Sequence, residues 1–214
     1  RINPDVDAQT HPYISTGLRE NKFGITQENA RALYQLAAAD PHIQVRGIAC
    51  HIGSQISDPQ PLFDALEQLL ALADAMRNEG IVLTDIDLGG GFGVTYDEEP
   101  AFDVTAWGRQ IKERLGDQGL QLSIEPGRFL TANAGVLLTR VEYLKVGDEY
   151  SRSNGVRSPV KHFAVVDAAM NDLLRPSLYQ AWHGVLPVKQ QNAHGNTRSW
   201  DIVGPICESG DWLA

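Results

Sequence analysis

A chain of 214 residues, 43% hydrophobic and 21% charged, has an ordinary globular composition with material for one or two domains and a sizeable core. Its formal net charge of -9 excludes non-specific attraction to nucleic acid or to an anionic membrane surface, while leaving room for a local site that holds an anion. No apolar run approaches the roughly 18 residues of a membrane-spanning helix, and the two cysteines, Cys50 and Cys207, fit a reducing cytosol better than a disulfide framework.

The chain opens on Arg1-Ile2-Asn3-Pro4 without an initiator methionine and stops at Asp211-Trp212-Leu213-Ala214, so a piece of a longer protein is expected, and no signal peptide is recognisable. Residues 1–5 read as a strand and residues 11–24 as a polar loop of functional length. Thr26 is a candidate N-cap for a helix whose face carries Ala30, Leu33, Tyr34 and Ala37, ended by Asp40-Pro41. Residues 45–52 read as a strand leading into Cys50-His51-Ile52-Gly53-Ser54-Gln55. Asp58 or Ser57 caps the next helix, with Pro59 and Pro61 in its first turn, Leu62, Leu66, Leu69, Ala73 and Met76 as its buried stripe, and Gly80 at C′.

Residues 81–88 form the next expected strand, which runs into Gly89-Gly90-Gly91-Phe92-Gly93. Asp103 begins a helix carrying Val104, Trp107, Ile111 and Leu115, closed by Gly116. Residues 120–125 read as a buried strand, with Leu120, Leu122 and Ile124 alternating, that ends abruptly at Glu125-Pro126-Gly127-Arg128. Gly127 is expected to bend the backbone through positive φ. This strand–helix alternation, at a spacing of about 35–40 residues, is the rhythm of βα units on a parallel sheet. Either the sheet is open or it is half of a β/α barrel, which takes about 250 residues when complete. Beyond residue 135 the rhythm changes. Residues 136–146, 162–167 and 200–206 are strand-like without a comparable helix between them, which points to a second, β-rich domain, and residues 187–196 read as an exposed loop or hairpin.

The strand ends carry the unusual chemistry. Glycines 89–91 let backbone amides converge on a phosphate, though glycine runs are also plain turns, and this run fits neither the nucleoside-triphosphate loop nor the dinucleotide spacing. His51 beside Ser54 suits ring stacking, metal ligation or base chemistry, against the plainer alternative of a structural histidine; no spacing around it suggests zinc. Glu125 and Arg128 place a carboxylate and a guanidinium at the mouth of a strand, where parallel α/β proteins bind ligands, or form a surface pair. Arg175-Pro176 with Tyr179 suits a carboxylate, or is a surface turn. Cys207-Glu208 suits a proton donor beside a ligand clamp, or is a packed thiol.

Together, Cys50-His51-Ile52-Gly53-Ser54-Gln55, Asp87-Leu88-Gly89-Gly90-Gly91, Glu125-Pro126-Gly127-Arg128, Met170-Asn171-Asp172 with Arg175-Pro176, and Gly204-Pro205-Ile206-Cys207-Glu208-Ser209-Gly210-Asp211 resemble the diaminopimelate decarboxylase family, a branch of the fold-type III pyridoxal-phosphate decarboxylases. So do Asn3-Pro4-Asp5-Val6-Asp7-Ala8, His11-Pro12-Tyr13-Ile14-Ser15-Thr16-Gly17 and Asn21-Lys22-Phe23-Gly24. The resemblance covers nearly the whole chain. The His-x-Gly-Ser and Glu-Pro-Gly-Arg elements are shared with ornithine and arginine decarboxylases. The Asn-Asp-x-x-Arg-Pro and Cys-Glu-Ser-Gly-Asp elements point to the diaminopimelate branch.

The resemblance implies an α/β fold: a partial (β/α)8 barrel of the alanine racemase-like type over residues 1–135, which binds pyridoxal 5'-phosphate, and part of a β-rich C-terminal domain over residues 136–214, which supplies substrate-binding and dimer-interface residues. It implies decarboxylation of meso-2,6-diaminopimelate to L-lysine, the last step of lysine biosynthesis, by a cytoplasmic homodimer with shared active sites and no metal. Cys207 and His51 are the implied catalytic residues. His51 stacks on the cofactor ring, and Glu125 keeps the pyridine nitrogen protonated. Ser54, Gly91 and the backbone around Gly127 hold the phosphate, and Gly90, Pro126 and Arg128 count with them as cofactor-binding. Arg128, Arg175 and Tyr179 grip the substrate carboxylates, and Glu208 takes the distal amino group. Cys207 and Glu208 are expected to work across the dimer interface. The alternatives are a related ornithine, arginine or carboxynorspermidine-type decarboxylase, or a non-catalytic relative that binds the cofactor. Lys22, Lys112, Lys145, Lys161 and Lys189 match no motif for the cofactor-bearing lysine, so this piece alone is expected to be inactive.

Overall fold

The computed structural model describes residues 1–8, 22–148, 160–189 and 198–214. The expected loops over residues 11–24 and 187–196 lie mainly outside the described residues. The chain divides into two compact units, Arg1–Thr95 with Pro100–Gly135, and Tyr96–Glu99 with Val136–Ala214.

The first unit is built on three parallel strands, β1 (Gly47–Ala49), β2 (Asp85–Asp87) and β3 (Gln121–Ser123), in the order β1-β2-β3. Gly47 lies opposite Asp85, and Asp85 opposite Gln121. Helix α1 (Gln27–Ala39) precedes β1, α2 (Gln60–Asn78) joins β1 to β2, and α3 (Val104–Leu115) joins β2 to β3, as the βα rhythm predicts. The chain start runs alongside, with the Ile2 N–H donating to the Ala49 carbonyl at 2.8 Å.

The helix ends follow local chemistry. Thr26 Oγ1 accepts the Asn29 N–H at 3.3 Å, and Asp103 accepts from Ala106 at 2.8 Å. Asp58 accepts the Gln60 N–H at 2.9 Å ahead of α2, although Pro59 occupies the cap position. Gly80, at φ +85°, closes α2. Its N–H reaches Arg77 at 3.0 Å while the Ile81 N–H reaches Met76 at 2.9 Å, the paired bonds of a Schellman motif. The core gathers around α2, whose buried face adds Phe63, Ala65 and Leu72 to the expected stripe. Phe92 closes one end of it, edge-on to Phe102 at 5.3 Å and to Trp107 at 4.9 Å. In α1 only Ala30 is fully buried, and Leu33, expected on the inner face, is exposed, because Tyr34 rather than Leu33 points at β1 and donates its hydroxyl to the Gly47 carbonyl at 2.8 Å.

Two expectations about the Glu125 stretch are corrected. The strand before it is only partly buried: Leu120 and Leu122 pack against the core, but Ile124 is exposed, and β3 pairs only with β2 among the described residues. Nor does Gly127 adopt positive φ. It opens a short helix, α4 (Gly127–Thr131), with Pro126 at the N-cap, φ -82° and ψ 47°, its carbonyl accepting the Leu130 N–H at 3.0 Å. The positive-φ glycines lie in the neighbouring loop, Gly89 at +69° and Gly91 at +102°.

The second unit holds β4 (Val141–Lys145), β5 (Phe163–Val166) and β6 (Asp201–Val203) in that order, β4 antiparallel to β5 and β5 parallel to β6. Each falls inside a strand-like run of the sequence. A short helix, α5 (Arg175–Tyr179), lies between β5 and β6, and a small core forms from Val166, Ala168 and Leu213.

Candidate active site

In the first unit three loops leave the C-terminal ends of β1, β2 and β3 side by side. Backbone bonds tie them together. The Cys50 N–H donates to Asp87 at 2.9 Å, Leu88 to Ser123 at 3.2 Å, and Glu125 to Gly89 at 2.8 Å. The glycines explain how the loops come so close. A Cβ on Gly89 would lie 2.5 Å from the Cys50 carbonyl oxygen, one on Gly90 would overlap the Glu125 carbonyl, and one on Gly91 would overlap that of Gly53. Here the run does more than turn the chain, because only a residue without a side chain lets the middle loop sit between its neighbours.

His51 is half buried at the end of β1, and its Nδ1 accepts the Gly90 N–H at 3.1 Å, which places the ring proton of the neutral imidazole on Nε2. Burial lowers its pKa from the ordinary value and the Arg1 charge adds to this, opposed by the Glu125 and Asp87 carboxylates. The Arg1 guanidinium donates to the His51 carbonyl at 3.2 Å. Cys50, one residue earlier, is buried, and desolvation reinforced by Asp87 pushes its thiol up to about 12, so it stays protonated and packs as an apolar group.

Gln55 is the residue of this site that the sequence reading passed over. Its amide donates to the Val94 carbonyl at 2.5 Å, and its Oε1 accepts both the Val94 N–H at 3.2 Å and Arg128 Nη1 at 3.2 Å. One side chain thus joins the loops after β1 and β2 to the start of α4. The motif containing Gln55 was visible, but no local pattern distinguished it from the polar residues around it. Ser54 is partly buried beside it and Glu125 is exposed. Two backbone donors expected at a phosphate are engaged within the protein, the Gly90 N–H with His51 and the Gly127 N–H with the Glu125 carbonyl at 2.8 Å.

The second unit groups its own candidates. Arg175, at the start of α5, lies under the Tyr96 ring with its guanidinium carbon 4.5 Å from the ring centroid, and its Nη1 is 3.0 Å from His183 Nε2. Tyr96 and His183 also meet edge-on at 5.3 Å. Neither aromatic residue was a candidate in the sequence, where nothing links them to Arg175. Tyr179 ends the same helix. The helix is fastened to the chain after β6 by Ser177, whose hydroxyl donates to the Gly210 carbonyl and, at 3.3 Å, to that of Trp212.

Cys207 and Glu208 lie in the turn that follows β6, with the strand itself ending at Val203. Of the two cysteines, Cys207 is exposed in this chain and Cys50 is buried. The turn is anchored by buried Asp211, one carboxylate oxygen accepting the Met170 N–H at 2.6 Å and the other the Ile206 N–H at 2.8 Å. Glu208 accepts the Gly210 N–H at 3.0 Å. Among the described residues no cluster of histidine, cysteine and carboxylate side chains could hold a metal, and no helix is long and apolar enough to cross a membrane.

A parallel βα unit whose successive strand ends carry a histidine, a glycine loop and a Glu-Pro-Gly-Arg turn defines a ligand-binding α/β domain. Residues 1–132 match the family described as pyridoxal-dependent decarboxylase, pyridoxal binding domain, and the chain belongs to that family. It is 54% identical over 215 residues to the diaminopimelate decarboxylase of Pseudomonas aeruginosa, covering 100% of this chain and 48% of that protein. Against the diaminopimelate decarboxylase of Neisseria meningitidis serogroup A it is 50% identical over 213 residues, covering 100% and 49%. The chain therefore spans about half the length of the curated relatives it matches. Among solved structures, diaminopimelate decarboxylase from Helicobacter pylori complexed with L-lysine superposes with a TM-score of 0.84 at 36% identity, over 100% of this chain and 50% of that one. Lysine/ornithine decarboxylase from Vibrio vulnificus complexed with cadaverine gives 0.69 at 25% identity, over 90% and 49%.

Proposed function

We propose that this chain is part of a diaminopimelate decarboxylase, a cytoplasmic homodimer that removes CO2 from meso-2,6-diaminopimelate to leave L-lysine. The observation that carries the reading is identity of 54% over an alignment that covers the whole chain, both units included. In this reading residues 1–135 are part of an alanine racemase-like (β/α)8 barrel and residues 136–214 part of a β-rich domain.

The residues present fit pyridoxal 5'-phosphate. The glycine loop is a cradle that side chains would fill, and an imidazole, a hydroxyl, a guanidinium and a carboxylate surround it. These suit an aromatic ring carrying a phosphate and a basic nitrogen. When bound, the cofactor supplies a ring that takes up the electron pair left behind as CO2 departs. Glu125 holds a proton on the ring nitrogen, and His51, neutral through burial, packs against the ring face without adding charge. Ser54 and Gly91 hold the phosphate. Gly90 contributes close backbone approach, since its N–H is engaged with His51 and a Cβ there would meet the Glu125 carbonyl.

Arg128, Arg175 and Tyr179 orient the substrate carboxylates, with the Arg175 guanidinium over the face of Tyr96. Glu208 receives the distal amino group. The exposed Cys207 thiol delivers a proton to the carbon that loses CO2, acting on the neighbouring subunit's substrate. The test is turnover by the purified full-length protein loaded with pyridoxal 5'-phosphate. Stoichiometric CO2 and L-lysine from meso-diaminopimelate, with ornithine and arginine turned over far more slowly, is the expected result. Preference for ornithine or arginine would instead favour a sister decarboxylase.

A further inference from the structure

Gln55 has an unusual combination of backbone and side chain. Its φ is +60°, in the left-handed region that suits glycine and costs other residues roughly 1 kcal/mol or more. Glycines are used freely in the adjoining loops, yet a glutamine stands here. Its side chain must therefore offset the strain, and all its polar atoms are engaged with defined partners. The amide nitrogen meets the Val94 carbonyl, and the oxygen meets both the Val94 N–H and Arg128 Nη1.

The chemistry of that last contact is specific. A guanidinium that is to grip an anion needs to be fixed in direction without losing its charge. A carboxylate at position 55 would fix Arg128 and also neutralise it. An alkyl side chain would leave the charge and release the direction. A neutral amide oxygen, itself aimed by two bonds to the Val94 backbone, does one without the other.

We infer that Gln55 is the positioning residue for Arg128: it transmits the geometry of the glycine-rich loop to the guanidinium and holds it ready for a ligand carboxylate. This rests on the reading of Arg128 as a carboxylate-gripping residue given above. The contact also couples the two features, because any shift of Val94 moves Gln55 Oε1 and so the direction of Arg128.

The test is a double-mutant cycle in the full-length holoenzyme, read by calorimetric titration with L-lysine, which requires no turnover, and by the split between KM and kcat. Arg128→Ala weakens L-lysine binding about tenfold or more. Gln55→Ala weakens it about fivefold, raising KM more than it lowers kcat, and adds less than about twofold in the Arg128→Ala background. Gln55→Glu weakens binding at least as much as Gln55→Ala, because its anion occupies the guanidinium. Where Gln55→Ala fails to fold, Gln55→Met, of similar length without polar atoms, takes its place in the cycle. Equal losses on removing Gln55 in both backgrounds would overturn the inference and leave Gln55 a loop staple. Arg128→Ala without effect on L-lysine would overturn it together with the role of Arg128 on which it rests.

Discussion

The strand-end loops of the first unit and the turn after β6 in the second hold their chemistry in opposite ways. The first is fixed by backbone: Gly89, Gly90 and Gly91 are packed against carbonyls of the adjacent loops, and His51, Gln55 and Arg128 are each held by a hydrogen bond within the unit. The second is fixed from below: Asp211 is 3% exposed and holds both sides of the turn, while Cys207 and Glu208 stand at its exposed crest. The lesson is that a preformed cradle suits a resident group, whereas groups that act on a transient one can sit on an open turn whose foundation is rigid.

The largest effect should come from the crest. Cys207→Ala should leave the unfolding free energy within about 0.5 kcal/mol of wild type, because the thiol is exposed, while kcat of the full-length enzyme falls by about 10²–10⁴-fold through loss of a general acid. A stability loss without a kcat loss would return Cys207 to a structural role. Next is the cradle. Gly90→Ala forces a Cβ into the Glu125 carbonyl, a rigid backbone partner, and should destabilise the first unit by about 3 kcal/mol and abolish cofactor loading. Gly127→Ala meets nothing within 4 Å and should load normally. Both are checked by absorbance titration with pyridoxal 5'-phosphate alongside thermal melts.

A smaller effect tests the foundation of the turn. Asp211→Asn replaces an acceptor by a donor opposite either the Met170 or the Ile206 N–H and should cost about 1–3 kcal/mol. Substrate KM should rise while cofactor affinity stays unchanged; a fall in cofactor affinity would show that the two regions do not respond separately. The smallest effect is that of pH on His51. Its folded pKa lies below 6.5, so as the pH falls through the unfolded value the unfolded chain takes up a proton that the folded one refuses. Stability should thus decline below pH 6.5, by less than about 1 kcal/mol because the ring is only partly buried and solvent screens it. His51→Gln, whose amide oxygen can still accept the Gly90 N–H, should remove this part of the pH dependence in melting curves recorded between pH 5 and 8.

Much of this was legible in the sequence because the physics is local. Thr26 and Asp103 cap helices by bonding an N–H three residues on, and Gly80 closes α2 through its own φ, so a short window of residues contains the whole interaction. The three unusual strand ends were legible for a related reason: βα alternation returns every strand end to the same edge of a parallel sheet, whatever the loops contain.

Tertiary structure alone decided the rest, wherever an outcome depended on what lies across from a residue. Leu120, Leu122 and Ile124 alternate like a buried strand, and the first two pack against the core, yet β3 has one strand neighbour among the described residues and Ile124 is exposed. Gln55 and Arg128 are 73 positions apart and Tyr96 and Arg175 farther still, and no sequence pattern records such pairs. The two cysteines make the point most directly. Each stands at the end of a strand-like run, and the sequence pattern alone does not say which of them is buried. Burial, reinforced by the Asp87 carboxylate, raises the Cys50 thiol to about 12, while Cys207 stands exposed, because desolvation belongs to the surroundings and not to the residue.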